Sequence, residues 1–420
     1  MEEIKQMMHR LLSIPNINLL SVEIKPDNQV FITVESTVEG TICHKCGREI
    51  ISCSSLDEPI RLRHLPILGH QTYLVIRPKR YVCEYCSSRP KTTQKSAWYC
   101  SDSRCTKAYQ EHLLLSLVNS TIQDVSRKEG IGYKTIEAIV ERVISEEVDW
   151  KQIQKLTSDE MGIDEVALRK GHQHYVTIVT LRLATSEVMV LAVLPDRKKE
   201  GVKAFLEQIP QEVRPQIRSV CTDMYRGYTE AVREVLGEAV IVIDRFHVAK
   251  MYRECADELR KRELRRLKKE LSKQEYGEIK GVIWIFRKNE EDLEEEEGTK
   301  LEKLFSYSPD LEKAYRLREE MRGIFEKKLS KGKAKKEIKR WEEEVRRSGL
   351  KCFDKFLNTL DEWKEEITNY FVNRKSSGFV EGFNNKVKVL KRRCYGISNV
   401  AHFFKRLVID VEGYQRFATS

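Results

Sequence analysis

No stretch of this 420-residue chain reaches 18 consecutive apolar residues, which excludes a membrane-spanning helix. The opening Met1-Glu2-Glu3-Ile4-Lys5 is charged and then amphipathic. It lacks the apolar core of a secretory signal, so a cytoplasmic protein is expected. Internal repeats are absent, and so is low-complexity sequence apart from one acidic run, Glu290 to Glu297. Like charges repel unless a fixed cation holds them. That run is therefore expected to be an exposed loop or helix end, not a metal site.

What the chain does have is charge and cysteine. Charged residues make up 33% of it, and the balance of 75 Lys and Arg against 65 Asp and Glu leaves a net +10. A soluble protein with a basic face fits this better than a uniformly basic tail. The length allows two or three domains, each with a core. In a reducing compartment, cysteines spaced Cys-x-x-Cys favour metal over disulfides. Cys43-His-Lys-Cys46 and Cys83-Glu-Tyr-Cys86 together supply four thiolates, the set that suits a tetrahedral structural Zn²⁺. His44 is redundant beside four sulfurs. Cys100 and Cys105 have no obvious partner pair and read as ordinary reduced cysteines.

Periodicity divides the chain into five stretches. Residues 1–106 form a zinc-binding β domain, with strands expected over Gln29–Val34, Ile60–Leu65 and Thr72–Ile76, where β-formers alternate with polar residues. Residues 107–155 read as helical. Leu113, Leu114, Leu117 and Val118 make one apolar stripe, Gly130-Ile131-Gly132 breaks the pattern, and a helix resumes over Lys134–Ile144. Helix, short glycine turn, helix is the helix-turn-helix pattern of DNA-binding proteins, though helical hairpins without DNA contacts share it. Lys134 and Thr135 open its second helix and are candidates for DNA contact. Residues 156–250 alternate strand and helix, predicting a mixed sheet with helices packed on it. Residues 251–370 are helical and densely charged, and residues 371–420 return as helix. Core packing is the expected role of Trp284 and Trp341 in the helical stretch; stacking on a displaced base is the sharper alternative.

Three acidic residues occupy distinctive settings: Asp164 in Met-Gly-Ile-Asp-Glu, Asp223 in Val-Cys-Thr-Asp-Met, and Glu381 in Phe-Val-Glu-Gly-Phe-Asn-Asn. The first two fall in or at the end of apolar β-like runs. The third falls in a helical stretch followed by Lys386, Lys388, Lys391, Arg392 and Arg393, a basic set suited to a polyanion. Three carboxylates gathered from distant segments can hold two divalent ions, and two metals about 3.5–4 Å apart clamp the attacking and leaving oxygens of a phosphodiester displacement. The residues thus predict a metal-dependent enzyme acting on DNA. His247, in Asp244-Arg-Phe-His247, ends another buried strand. It is placed to touch a phosphate, a leaving-group oxygen, or simply Asp244.

Several segments together resemble the bacterial insertion-sequence transposases of the ISL-three family. They are Gly162-Ile-Asp-Glu165, Arg169-Lys-Gly-His172, Thr222-Asp-Met224 with Tyr228, Asp244-Arg-Phe-His-Val248, Ser377-Gly-Phe-Val-Glu-Gly-Phe-Asn-Asn-Lys-Val-Lys388 and Lys391-Arg-Arg-Cys-Tyr-Gly396. The resemblance implies an α/β fold: an RNase H-like catalytic core interrupted by a helical insertion and preceded by the zinc domain and helix-turn-helix. It implies a DDE triad of Asp164, Asp223 and Glu381 using Mg²⁺ or Mn²⁺, with His247 at the family's Asp-x-Phe-His position. It also implies binding to terminal inverted repeats and target DNA as a homodimer or larger, in the bacterial cytoplasm at the nucleoid. One departure is the second strand, where Leu181-Arg182-Leu183 stands in place of an expected acidic residue. Two other readings remain: a transposase-derived DNA-binding regulator, and an RNase H-like structure-specific nuclease.

Overall fold

The computed structural model describes residues 2–156, 158–169, 173–373, 378–394 and 396–418; the side chains of residues 2–5, 169, 173–174, 373 and 378–381 lie outside the description. The chain forms two compact units, Met1–Ile144 with Glu412–Ser420, and Ser145–Val411.

The first unit is built on a four-stranded sheet. Its strands are β1 (Ile17–Ile24), β2 (Gln29–Ser36), β3 (Ile60–Ile67) and β4 (His70–Ile76), in the spatial order β1-β2-β4-β3. Alternation along β2 sends Val30, Ile32 and Val34 inward. They meet Ile17, Leu62, Leu74 and Ile76 in one apolar core. Small strands beside this sheet carry the cysteines. The hairpin Thr41–Ile42/Glu49–Ile50 holds Cys43 and Cys46 in its turn, and Cys83 and Cys86 lie between Lys79–Val82 and Lys91–Thr93.

Three helices follow: α1 (Lys107–Ser116), α2 (Ile122–Glu129) and α3 (Tyr133–Val143). Thr106 and Thr121 cap the first two by accepting from the backbone N–H of Tyr109 and Asp124. Gly130, at φ 62°, ends α2 in the left-handed region, where a side chain would be strained. Leu113, Leu114, Val125, Ile136, Ile139 and Val140 are all buried. The apolar stripe read from the sequence is therefore a packed helical core.

The second unit centres on a five-stranded sheet of β5 (Ser158–Arg169), β6 (Gln173–Leu183), β7 (Val188–Leu194), β8 (Ser219–Thr222) and β9 (Val240–Ile243). The spatial order is β7-β6-β5-β8-β9. β5, β6 and β7 are antiparallel neighbours, while β8 and β9 run parallel to β5. Helices Lys199–Glu207 and Arg226–Val235 supply the return paths that parallel strands require. The sheet is thus mixed, as the alternating pattern predicts.

From β9 the chain enters α4 (Arg245–Glu270), a 26-residue helix that begins a largely helical stretch reaching Asn373. Trp341 lies at its centre, 2% exposed, donating from its indole N–H to the Leu317 carbonyl at 2.7 Å. Trp284 differs: it is 69% exposed, so core packing is not its role. The acidic run becomes the short turn Glu290–Asp292 and the first turn of the helix Glu295–Tyr307. Carboxylates are favoured there by the helix dipole. Beyond Asn373 comes α5 (Gly378–Arg393), and the last helix is Val400–Phe417. No described helix is long and apolar enough to cross a membrane.

Candidate active site and metal centre

The parallel register of the central strands builds the site. Ile163 of β5 pairs with Thr222 of β8, and Thr222 pairs with Ile243 of β9. The next residue along each chain is Asp164, Asp223 and Asp244. Register alone therefore sets three carboxylates side by side, two of them just beyond the carboxyl ends of their strands, where open α/β sheets place ligands. The third has a different task. Asp244 is buried and caps α4, accepting from the Phe246 backbone N–H at 2.7 Å. The cap sets the start of α4 and so positions His247 three residues on.

Asp164, Asp223 and His247 offer ligand atoms that all lie within 4.8 Å of one another. His247 Nε2 is 2.9 Å from Asp223 Oδ1, so the imidazole's carboxylate partner is Asp223, not Asp244. One oxygen of Asp164 accepts from the Glu165 backbone N–H at 2.7 Å. Its other oxygen, Oδ2, is buried with no hydrogen-bond partner among the described residues. Glu165 points to the opposite face, as strand alternation requires, and pairs with Arg197 at 3.4 Å.

Burial, and then the charge of Asp223, push Asp164 up to about 7, against the opposing influence of Asn384 and His247. Burial works against a charged His247, but Asp223, Asp244 and Asp164 outweigh it and raise the imidazole to about 9. Both displacements say the same thing: the pocket concentrates negative charge and is short of a cation. Two buried oxygens without partners among the described residues, Asp164 Oδ2 and Asn384 Oδ1, lie at the site. Oxygen donors in that state fit a hard divalent ion.

Asn384 was not singled out from the sequence, although it stands inside the Glu-Gly-Phe-Asn-Asn block. The available signal was spacing: it follows Glu381 by three positions in α5, one helical turn. The Glu381 side chain itself lies outside the described residues, as do Lys170, Gly171, His172, Ser377 and Tyr395 of the quoted motifs.

The basic residues of α5 divide into two groups. Lys386, Lys388 and Arg392 are exposed. Lys391 donates to the Ala167 carbonyl, and Arg393 pairs with Asp410 at 2.5 Å, so these two have partners within the protein. Arg182, where an acidic residue was expected near the end of the second strand, lies opposite the buried Glu160 of β5, 3.3 Å away. At the start of α3, Lys134 is exposed and pairs with Glu137 at 2.6 Å, and Thr135 is exposed.

The other constellation is the sulfur cluster. The Sγ atoms of Cys43, Cys46, Cys83 and Cys86 lie within 4.8 Å of one another, with Cys46 and Cys83 at 3.7 Å. Zn–S bonds of about 2.3 Å in a tetrahedron imply S–S separations of about 3.8 Å, so the cluster fits a structural zinc. The Cys46 backbone N–H contributes most to drawing the Cys43 thiol down to about 6, toward the thiolate a metal needs. His44 turns instead to Thr92 Oγ1 at 2.9 Å and stands outside the four sulfurs. Cys105 is a buried free thiol, pushed up to about 11 by burial.

The chain is similar to known transposases. The chain is 28% identical over 397 residues to the transposase for insertion sequence element IS1001 of Bordetella parapertussis, covering 93% of this chain and 94% of that one. It is 24% identical over 393 residues to the transposase for insertion sequence element IS1557 of Mycobacterium tuberculosis, covering 89% and 86%. The transposase family model DDE ISL3 matches residues 161–407, a span that holds Asp164, Asp223, His247 and Glu381. More than half of the chain falls within that match, and the protein belongs to the ISL3 family of transposases.

Proposed function

We propose that this protein is a DDE transposase that binds the terminal inverted repeats of its own insertion sequence, cuts DNA strands and joins the freed ends to target DNA. The observation that carries the reading is the parallel register of β5 and β8, which aligns Asp164 with Asp223, together with a buried Asp164 Oδ2 that has no partner among the described residues. The mixed sheet, with its last two strands parallel to the first, supports an RNase H-like core. The helical stretch begun by α4 is then an insertion in that core, and the sulfur cluster and helix-turn-helix precede it.

Asp164 and Asp223 hold divalent cations, Mg²⁺ or Mn²⁺, with Glu381 of α5 completing the set. Bound there, such ions supply Lewis acidity for the attacking oxygen and charge neutralisation for the leaving one. His247 fixes one oxygen of Asp223 and leaves the other for a cation, which makes it a positioning residue. Asn384 offers a neutral oxygen beside Asp164. The exposed Lys386, Lys388 and Arg392 of α5, and Lys134 and Thr135 of α3, lie against DNA. Most of the rate comes from holding phosphodiester and nucleophile in line within a charge-matched site. Joining two element ends requires two active sites, so at least a dimer assembles on DNA.

Labelled DNA carrying the element ends, a plasmid target and Mg²⁺ test this directly. Wild type is expected to cut and join. Asp164→Asn, Asp223→Asn and Glu381→Gln are each expected to lose at least about a thousandfold in cutting while still binding ends. Near-normal cutting by any variant removes that residue from the triad. Cutting without joining by wild type points to a nuclease, and binding without cutting points to a regulator.

A further inference from the structure

Within the first unit a cleft of about 530 Å³ opens between the β3–β4 face, the segment Ser101–Cys105, and the turn that leads into α3. It plays no part in the catalytic or zinc sites. The backbone builds it: β3 is bonded to the segment ahead of α1 through Arg63 N–H to the Arg104 carbonyl (2.8 Å) and Thr106 N–H to the Arg63 carbonyl (2.9 Å). Arg61, Arg63 and Arg104 thereby line one cavity, and Thr135, in the first turn of α3, lies on its wall.

Arg63 is the unusual member. It is 9% exposed. Its Nη1 donates to Gln71 Oε1 (2.8 Å) and to the Tyr73 hydroxyl (3.1 Å), both neutral acceptors. Its Nε is buried with no partner among the described residues. A buried guanidinium without a matching carboxylate is costly, and Arg63 is one of the residues that line the cleft. The Tyr73 ring lies 5.0 Å from the Arg61 guanidinium and 5.1 Å from that of Arg63. It holds two cations close together that would otherwise repel. Asp102, the one carboxylate among the residues that line the cleft, pairs with Arg142 at 3.5 Å, and Glu129 accepts from Tyr109 and pairs with His112. The cleft therefore has planar donors in excess of acceptors, which is the requirement of a phosphate.

We infer that this cleft is a binding site for a backbone phosphodiester of duplex DNA, held by Arg61, Arg63 and Arg104 beside the start of α3. The sheet of the zinc-bearing region and the helix-turn-helix then grip one duplex as a single surface. The phosphate contact sets the register of α3 on that duplex and leaves base reading to α3. The inference rests on the DNA-binding part of the proposed function.

The test uses the full-length protein without Mg²⁺, on an end-sequence duplex and a scrambled duplex, with binding followed by fluorescence anisotropy. Arg61 and Arg104 are exposed, so the double variant Arg61→Ala/Arg104→Ala avoids the folding risk of replacing Arg63. It is expected to weaken both duplexes about tenfold or more, and to flatten the plot of log affinity against log salt by about one per lost contact. A scan of single neutral methylphosphonates then localises the effect. One or two positions should weaken wild type and leave the double variant indifferent. Identical scans for wild type and variant, or a loss confined to the end sequence, overturn the assignment. If the variant behaves as wild type while wild type binds DNA, only this inference fails. If wild type binds neither duplex, the DNA reading itself fails.

Discussion

A buried titratable group reveals what its surroundings want from it. Asp164 is raised because burial and Asp223 both oppose its charge, and a divalent cation reverses that in one step. His64 shows the opposite kind of site. It is 3% exposed, its Nδ1 lies 2.9 Å from Thr106 Oγ1, and burial pulls it down to about 4. The unfolded chain returns it to its ordinary value near 6.5. Between those two values the unfolded state binds the extra proton, so stability rises with pH there. The contribution is complete above about pH 6.5 and is lost as pH falls toward 4, amounting to about 3 kcal/mol. His64→Gln should flatten this part of the stability-against-pH curve, measured by urea unfolding at pH 4.5 and 7. An equally steep variant would show that other groups set the slope. At this scale much was legible in the sequence. Asp164 and Asp223 stood out because apolar strands announce the acid that breaks them. The partner of His247 did not, because Asp223 reaches it across strands, and no local pattern carries strand register.

Elements show the same division. The helical pair α2–α3 was readable because its signals are local: an apolar stripe at helical spacing and glycines at the break, with helix α3 found at Tyr133–Val143 against an expected Lys134–Ile144. The sulfur knuckles were readable for the same reason. Sheet order was not, since β5 pairs with β8 across more than fifty intervening residues and only packing chooses that partner. Tryptophan fate also depends on packing. Trp341 meets Phe353 and Phe356 edge-on at 5.8 and 5.7 Å, whereas Trp284 is exposed and shares a cation–π contact with Arg287 at 5.8 Å. Trp341→Ala should cost about 3–5 kcal/mol, the range for deleting a large buried aromatic. Trp284→Ala should cost under about 1 kcal/mol, as exposed substitutions do. Denaturant midpoints compare the two directly, and similar costs would contradict a buried Trp341 and an exposed Trp284.

At the scale of the whole molecule, the two clusters of possible metal ligands belong to two different cores. The four cysteines lie in the first compact unit with the cores of its sheets, while Asp164 and Asp223 lie in the second with its own cores. Metal that binds only the folded state stabilises that state by mass action: at a hundred times its dissociation constant the gain is about 2.7 kcal/mol. The gain falls on whichever cooperative unit contains the ligands, and a chain with two cores is under no obligation to unfold in one step. Calorimetry of the full chain should therefore show two transitions that respond to different ions. A zinc chelator should lower one of them steeply, because a structural zinc contributes folding free energy outright, and leave the other within about a degree. Mg²⁺ should raise the other, and Asp223→Asn should remove that rise without touching the zinc-dependent transition. One transition that moves with both ions would mean the two units unfold as one. A Mg²⁺ response that survives Asp223→Asn would place the divalent ion somewhere other than between Asp164 and Asp223.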